Sequence, residues 1–173
     1  SFFGFHDVKP FSTDNCLLLS NRLTIPLRMP TKNDVLEVGY YSGEDYSEWH
    51  KVDDTLAWNY HKGCRLQWLD ERHIIYNTCK DDRLNATICD ITTGEKQFVN
   101  WAIDSVSDDG KYATSFSYGR LEQQMPGYGY AIGDDETYSE SFTPEHTGLY
   151  LIDLQKNERR MLVSLKQLSE LQP

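Results

Sequence analysis

Apolar runs of four to eight residues, each closed by a polar turn, recur along this chain in a fixed order. Three times a short strand-like segment leads through a turn into an apolar run. Pro10-Phe11-Ser12-Thr13-Asp14-Asn15 precedes Cys16-Leu17-Leu18-Leu19, Gln67-Trp68-Leu69-Asp70-Glu71 precedes Ile74-Ile75-Tyr76, and Ser105-Val106-Ser107-Asp108-Asp109-Gly110 precedes Lys111-Tyr112-Ala113-Thr114. Downstream of each, another apolar run ends in a turn: Tyr40-Tyr41-Ser42-Gly43, Cys89-Asp90-Ile91-Thr92-Thr93-Gly94 and Leu151-Ile152-Asp153-Leu154-Gln155-Lys156-Asn157. Runs rich in Val, Ile, Tyr, Phe and Thr between Gly, Asp and Asn are the strand pattern. Asp14-Asn15 and Asp109-Gly110 suit tight turns, because Asn and Gly accept positive φ at little cost.

Each repeat reads as four strands: residues 7–12, 15–21, 34–41 and 47–53; then 64–69, 73–78, 85–91 and 95–100; then 103–107, 111–117, 147–154 and 158–163. Repeats of this kind predict an all-β fold, a portion of a β-propeller with three four-stranded antiparallel blades at about 1–54, 55–101 and 102–164. A β-sandwich or an irregular α+β domain would use the same strands, but a sandwich does not explain the recurring strand–turn signature. Ser164-Leu165-Lys166-Gln167-Leu168-Ser169-Glu170-Leu171 spaces its leucines at i, i+3 and i+6 behind a Ser cap and predicts a short C-terminal helix opening the connection at 165–173. Gly43 lies 51 residues before Gly94, and Gly94 lies 63 before Asn157. The excess falls between Tyr118 and Thr147, a long loop that holds Pro126-Gly127-Tyr128-Gly129-Tyr130 and Asp134-Asp135-Glu136. Three blades do not close a ring, and closure is what removes exposed edges. The expectation is therefore a piece of a longer propeller, its remaining blades or a second copy of the chain completing the ring.

Composition narrows the classes. An apolar share of 39% supports a core, so wholesale disorder is not expected. No apolar run approaches the roughly 20 residues that span a bilayer, and no basic segment followed by an apolar one opens the chain, so cytoplasm is the default location with the compartment otherwise open. The 27 acidic residues against 17 basic ones argue against a nucleic-acid partner, whose affinity rests on phosphate neutralisation. Cys16, Cys64, Cys79 and Cys89 have no C-x-x-C spacing and read as buried thiols.

In a propeller, inter-blade connections and those between second and third strands gather at one end of the central channel, where sites are built. The candidate ligand-binding residues on these loops are His6, Arg22, Arg28, Trp58, Asn59, His61, Arg83, Arg120, Tyr128 and Tyr130. Arg pairs with carboxylates and aromatic faces stack on sugar rings, so an acidic protein that directs cations to one end points to an acidic oligosaccharide. The plainer reading is a set of solvated loop cations, with Trp58 packing between blades. The histidines have no metal-ligand spacing, so neither a metal nor another cofactor is expected.

Phe3-Gly4-Phe5-His6-Asp7-Val8-Lys9-Pro10-Phe11-Ser12, the stretch from Trp58-Asn59-Tyr60-His61-Lys62 to Leu69, and Pro126-Gly127-Tyr128-Gly129-Tyr130 resemble uncharacterised bacterial β-propeller proteins, themselves similar to oligogalacturonate lyase and TolB-like (WD40-like) propellers. The resemblance covers the N-terminal half of such proteins. It implies a larger propeller with polysaccharide-related chemistry, and no counterpart here of the lyase's metal cluster. Carbohydrate binding is the leading expectation. The alternatives are a protein-interaction scaffold and a metal-dependent lyase whose catalytic cluster lies outside this chain.

Overall fold

A computed structural model describes residues 1–134 and 141–171. The described chain is mostly β, with three antiparallel sheets. The first sheet runs β1 (Leu18–Leu23), β2 (Leu36–Ser42) and β3 (Glu48–Thr55) in chain order. The middle sheet runs β4 (Gln67–Trp68), β5 (His73–Lys80), β6 (Arg83–Asp90) and β7 (Lys96–Val99). The third joins β8 (Tyr112–Ser115), β9 (Gly148–Asp153) and β10 (Glu158–Ser164), and the helix α1 (Tyr118–Gln124) lies between β8 and β9. The short C-terminal helix α2 (Leu165–Glu170) starts on Ser164 with a complete capping box closed by Gln167.

Among the described residues only the middle sheet has four strands. In the first and third sheets the expected first strand, residues 7–12 and 103–107, shrinks to a single bridge, Phe11 with Leu18 and Val106 with Ala113. The connection between the expected strands 73–78 and 85–91 is also shorter than expected: β5 and β6 continue to a two-residue turn in which Asp81 and Asp82 take φ of 52° and 58°. Two positive φ values give the twist that joins antiparallel strands directly.

The repeated sequence signature produces repeated hydrogen bonds. Ser12 Oγ donates to Asp14 Oδ1 at 2.6 Å and accepts the Leu17 N–H at 2.9 Å. Ser107 Oγ donates to Asp109 Oδ1 at 2.7 Å and accepts the Tyr112 N–H at 3.0 Å. The later turns match as well. The Asp90 carboxylate accepts the N–H groups of Thr92 and Thr93, and the Asp153 carboxylate those of Gln155 and Lys156. Gly94 and Asn157 then close their turns at φ of 78° and 53°.

Successive sheets share cores. Side chains alternate across a strand, so Ile74 and Tyr76 of β5 pack with Leu19, Leu36 and Val38 of the first sheet, and Trp58 fills the same layer. Ile75, between them, faces the opposite way and packs with Ile103, Ala113 and Ile152 beside the third sheet. Ala57, Leu84, Ala102, Tyr118 and Tyr130 form a third cluster where α1 and its following loop cover the sheet ends. Among the described residues, no helix is long and apolar enough to cross a membrane.

Candidate functional site

Two segments distant in sequence, the 59–63 turn and the loop that follows α1, meet. Asn59 is buried, and its Nδ2 donates to the carbonyls of Tyr128 at 2.8 Å and Gly129 at 3.1 Å. Its Oδ1 accepts the Lys62 N–H at 2.7 Å, which closes the 59–63 turn from inside. This clamp lays the exposed His61 ring flat on Tyr128, centroids 4.2 Å apart and planes 6° from parallel. Tyr130 is buried, stacked on Tyr118 at 4.0 Å, and its hydroxyl accepts from Asn77 Nδ2 at 2.8 Å. Trp58 is buried too, its indole N–H donating to the Asp34 carbonyl at 2.7 Å. Trp58, Asn59 and Tyr130 therefore support the surface, while His61 and Tyr128 form it.

The expected cations are not gathered into one groove. Arg28 makes a two-pronged pair with Asp34, at 2.6 and 2.8 Å, and Thr31 adds its N–H and hydroxyl to the same carboxylate. These bonds hold the Asp34 carboxyl well below the usual carboxylate range. Arg22 sits in β1 opposite Glu37, 3.9 Å from its carboxylate, and over the Trp49 ring. Arg120 is buried, donating to the Ser141 and Phe142 carbonyls at 2.7 and 3.1 Å. Arg83 is exposed at the start of β6, and His6 is exposed against the Phe5 ring. Of the acidic run held in the long loop, Asp134 accepts from Ser117 Oγ and the Gly119 N–H, whereas Asp135 and Glu136 lie outside the described residues. Among the described residues no group of three or more His, Cys, Asp or Glu side chains could hold a metal ion.

The site's central charge is one that sequence reasoning passed over. Arg65 has no exposed side-chain surface, yet its backbone takes φ of 56°. A left-handed conformation on a bulky residue is strained and persists only where its surroundings impose it. Its Nε donates to the Asp104 carbonyl at 2.6 Å, and its two terminal nitrogens grip the Asp7 carboxylate at 3.1 and 3.0 Å. Lys62 Nζ and the Tyr118 hydroxyl reach Asp104 Oδ1 at 3.2 and 3.0 Å. Burial pushes the Asp7 carboxyl up, but the Arg65 hydrogen bonds and charge outweigh it and leave the group below its ordinary value. Burial raises the Tyr118 phenol well above its ordinary range, so it stays a neutral donor. The one sequence signal was a lone Arg inside the apolar run Cys64-Arg65-Leu66-Gln67-Trp68.

Asp7 also forms part of the wall of a groove of about 870 Å³. Phe11, Trp68 and Val106, each at the edge of its sheet where the first strand or bridge pairs, all line it.

Neither a known protein family nor a curated protein matches the chain. Among solved structures, the whole chain is similar to part of the AtxE2 isopeptidase in its apo form, at a TM-score of 0.52 and 13% identity. A variant of that isopeptidase with Astexin3 bound gives 0.49 and 14%. The chain spans 31% of the length of either neighbour. At this identity the likeness is one of fold.

Proposed function

We propose that this chain builds three successive blades of a β-propeller and that its loop end binds an acidic oligosaccharide. Three features support the blades: the duplicated Ser–Asp and Asp–amide turns, the middle sheet with a core on each face, and the first segments of the three sheets lining one groove. Tyr112 and Leu149, exposed on the open face of the third sheet, are what a further blade would cover.

The ligand reading rests on one observation. An exposed aromatic stack, His61 on Tyr128, adjoins Lys62, whose Nζ belongs to the same ionic cluster as the buried Arg65. A uronic acid presents an apolar ring face and a carboxylate, the two chemistries this arrangement meets. Calorimetric titration with oligogalacturonates and with neutral galacto-oligosaccharides tests it. The acidic series binds, and Tyr128→Ala weakens it about three- to tenfold, the worth of one ring contact. Absence of binding by the whole acidic series overturns the reading.

A protein partner is the second reading. It is favoured by exposed Met29 and Met125 beside Tyr128, with the Met29 methyl 3.4 Å from where a Cβ on Gly127 would stand. Met29→Asp would abolish capture of such a partner and leave oligosaccharide binding unchanged.

A further inference from the structure

The carboxylates that neutralise Arg65 differ in how they are held. Asp104 is fixed on every side: its Oδ1 takes Lys62 and Tyr118, and its carbonyl takes Arg65 Nε and Gln67 Nε2. Among the described residues the Asp7 side chain is gripped by Arg65, with both oxygens on the guanidinium fork, and otherwise only by its own backbone N–H. Its side chain is 38% exposed against 18% for Asp104, and it borders the 870 Å³ groove.

The segment that carries Asp7 is pinned at its ends and loose between them. Phe2 bridges Asn21, and Phe11 bridges Leu18. Between them, from Phe3 to Lys9, the backbone makes a single backbone–backbone hydrogen bond among the described residues, Val8 N–H to the Phe5 carbonyl at a long 3.4 Å. Phe3, Phe5 and His6 are exposed. Gly4 lies against the Lys62 carbonyl at φ of 112°, an approach that leaves no room for a Cβ.

From these contacts we infer that Arg65 is a carboxylate-binding subsite and that Asp7 is its built-in occupant, displaced when an acidic ligand reaches this end of the groove. The inference rests on the reading that this end takes acidic ligands. The exchange is balanced: one carboxylate leaves the Arg65 fork and another enters, so the cluster keeps two cations and two anions. The released Asp7 regains hydration, and the cost is confined to a segment with one backbone–backbone bond. A tethered carboxylate competes at an effective concentration of roughly millimolar or above, so Asp7 acts as an intramolecular inhibitor that sets a threshold for the ligand. Bonds from Arg65 Nε to the Asp104 carbonyl and from a terminal nitrogen to the Ser105 hydroxyl hold the fork in place whether or not Asp7 fills it.

The test uses acetate, a carboxylate with no sugar attached, at pH 7 and constant ionic strength held with chloride. The Nε–H resonance of Arg65, assigned by its loss in Arg65→Lys, is followed in the unmodified chain and in Asp7→Ala. Acetate should shift this resonance in Asp7→Ala, with an apparent affinity at least about tenfold tighter than in the unmodified chain, because the tethered competitor is gone. Asp7→Asn, which keeps the turn and the side-chain volume, serves where the alanine variant fails to fold. A third arm needs no variant: tetragalacturonate added to the unmodified chain should speed hydrogen exchange of the Val8 amide. An Arg65 resonance that ignores acetate in a folded Asp7 variant, or a Val8 amide whose exchange is unchanged by bound tetragalacturonate, overturns the inference. Oligogalacturonate binding that is indifferent to Asp7 would overturn it while leaving the carbohydrate reading in place. Acetate binding without any acidic glycan binding would uphold the subsite and remove the carbohydrate.

Discussion

Replacing Asn77 by leucine should be among the most damaging near-isosteric changes in this fold, because one buried amide ties β5 to the loop end. Asn77 is fully buried. Its Nδ2 donates to the Ile103 carbonyl and the Tyr130 hydroxyl, both at 2.8 Å, and its Oδ1 accepts the Ile103 N–H at 2.7 Å. Leucine has nearly the same shape, so the cost is polar. The Ile103 carbonyl keeps the Tyr118 hydroxyl at 3.1 Å; the Ile103 N–H is left with no acceptor. Two lost hydrogen bonds at about 1 kcal/mol each, plus a stranded buried donor at about 1–3 kcal/mol, sum to about 3–5 kcal/mol. With a urea slope of about 2 kcal/mol/M, the unfolding midpoint should fall by about 2 M. Circular dichroism and tryptophan fluorescence would report the same transition. Tyr130→Phe removes one of these bonds and should cost about 1 kcal/mol alone and nearly nothing in the Asn77→Leu background, a coupling of about 1 kcal/mol. A midpoint within about 0.5 M of the unmodified chain, or equal Tyr130→Phe costs in both backgrounds, would show that the Asn77 amide does not tie these segments together.

Three further predictions concern the turns and the loop. Burial pushes the Asp90 carboxyl up, but the N–H groups of Thr92 and Thr93 and the Arg72 guanidinium bring it down to about 2. A folded value below the unfolded 3.8 contributes stability that is present above 3.8 and lost as the pH falls toward 2. Urea midpoints measured across that window should fall more steeply for the unmodified chain than for Asp90→Asn; parallel slopes would contradict the assignment. At Gly129 a Cβ would stand 2.0 Å from the Tyr118 carbonyl and 2.2 Å from the Glu122 N–H, both backbone atoms. Gly129→Ala should therefore displace the loop, costing about 1–3 kcal/mol or more and abolishing the His61–Tyr128 contact read by nuclear Overhauser effects. Gly94→Ala, with open space around it, should cost only the roughly 1–2 kcal/mol of its positive φ. Equal melting temperatures for Gly129→Ala and the unmodified chain would rule out the clash.

The sheets were legible because their signals are local. Ser12 with Asp14 and Ser107 with Asp109 announce turns through bonds spanning a few residues, and the Ser164 capping box announces α2 in the same way. Helix α1 was not legible. Its sequence carries Gly119 in the first turn, and it is held from outside: Asp134 accepts the Gly119 N–H, and the Glu122 carboxylate accepts those of Gly127 and Gly129. At the site, the motif around Asn59 and the one around Tyr128 stood out in the sequence, but their meeting depends on hydrogen bonds 69 and 70 residues long in sequence. Arg65 was hidden because its partners, Asp7 and Asp104, are 58 and 39 residues away and only the fold brings them to it.

The middle sheet carries a consequence for strand alignment. In a strand buried on one face, a one-residue slip turns the apolar side chains to water, and that penalty fixes the pairing. Ile74, Ile75 and Tyr76 in β5 are all buried, each against one core or the other. A slip there exchanges one apolar environment for another, so hydrophobicity discriminates little. What a slip cannot preserve is the seat of Asn77, whose amide finds Ile103 and Tyr130 in a single alignment. In this strand the apolar residues supply cohesion, and one buried amide sets the frame in which they are read.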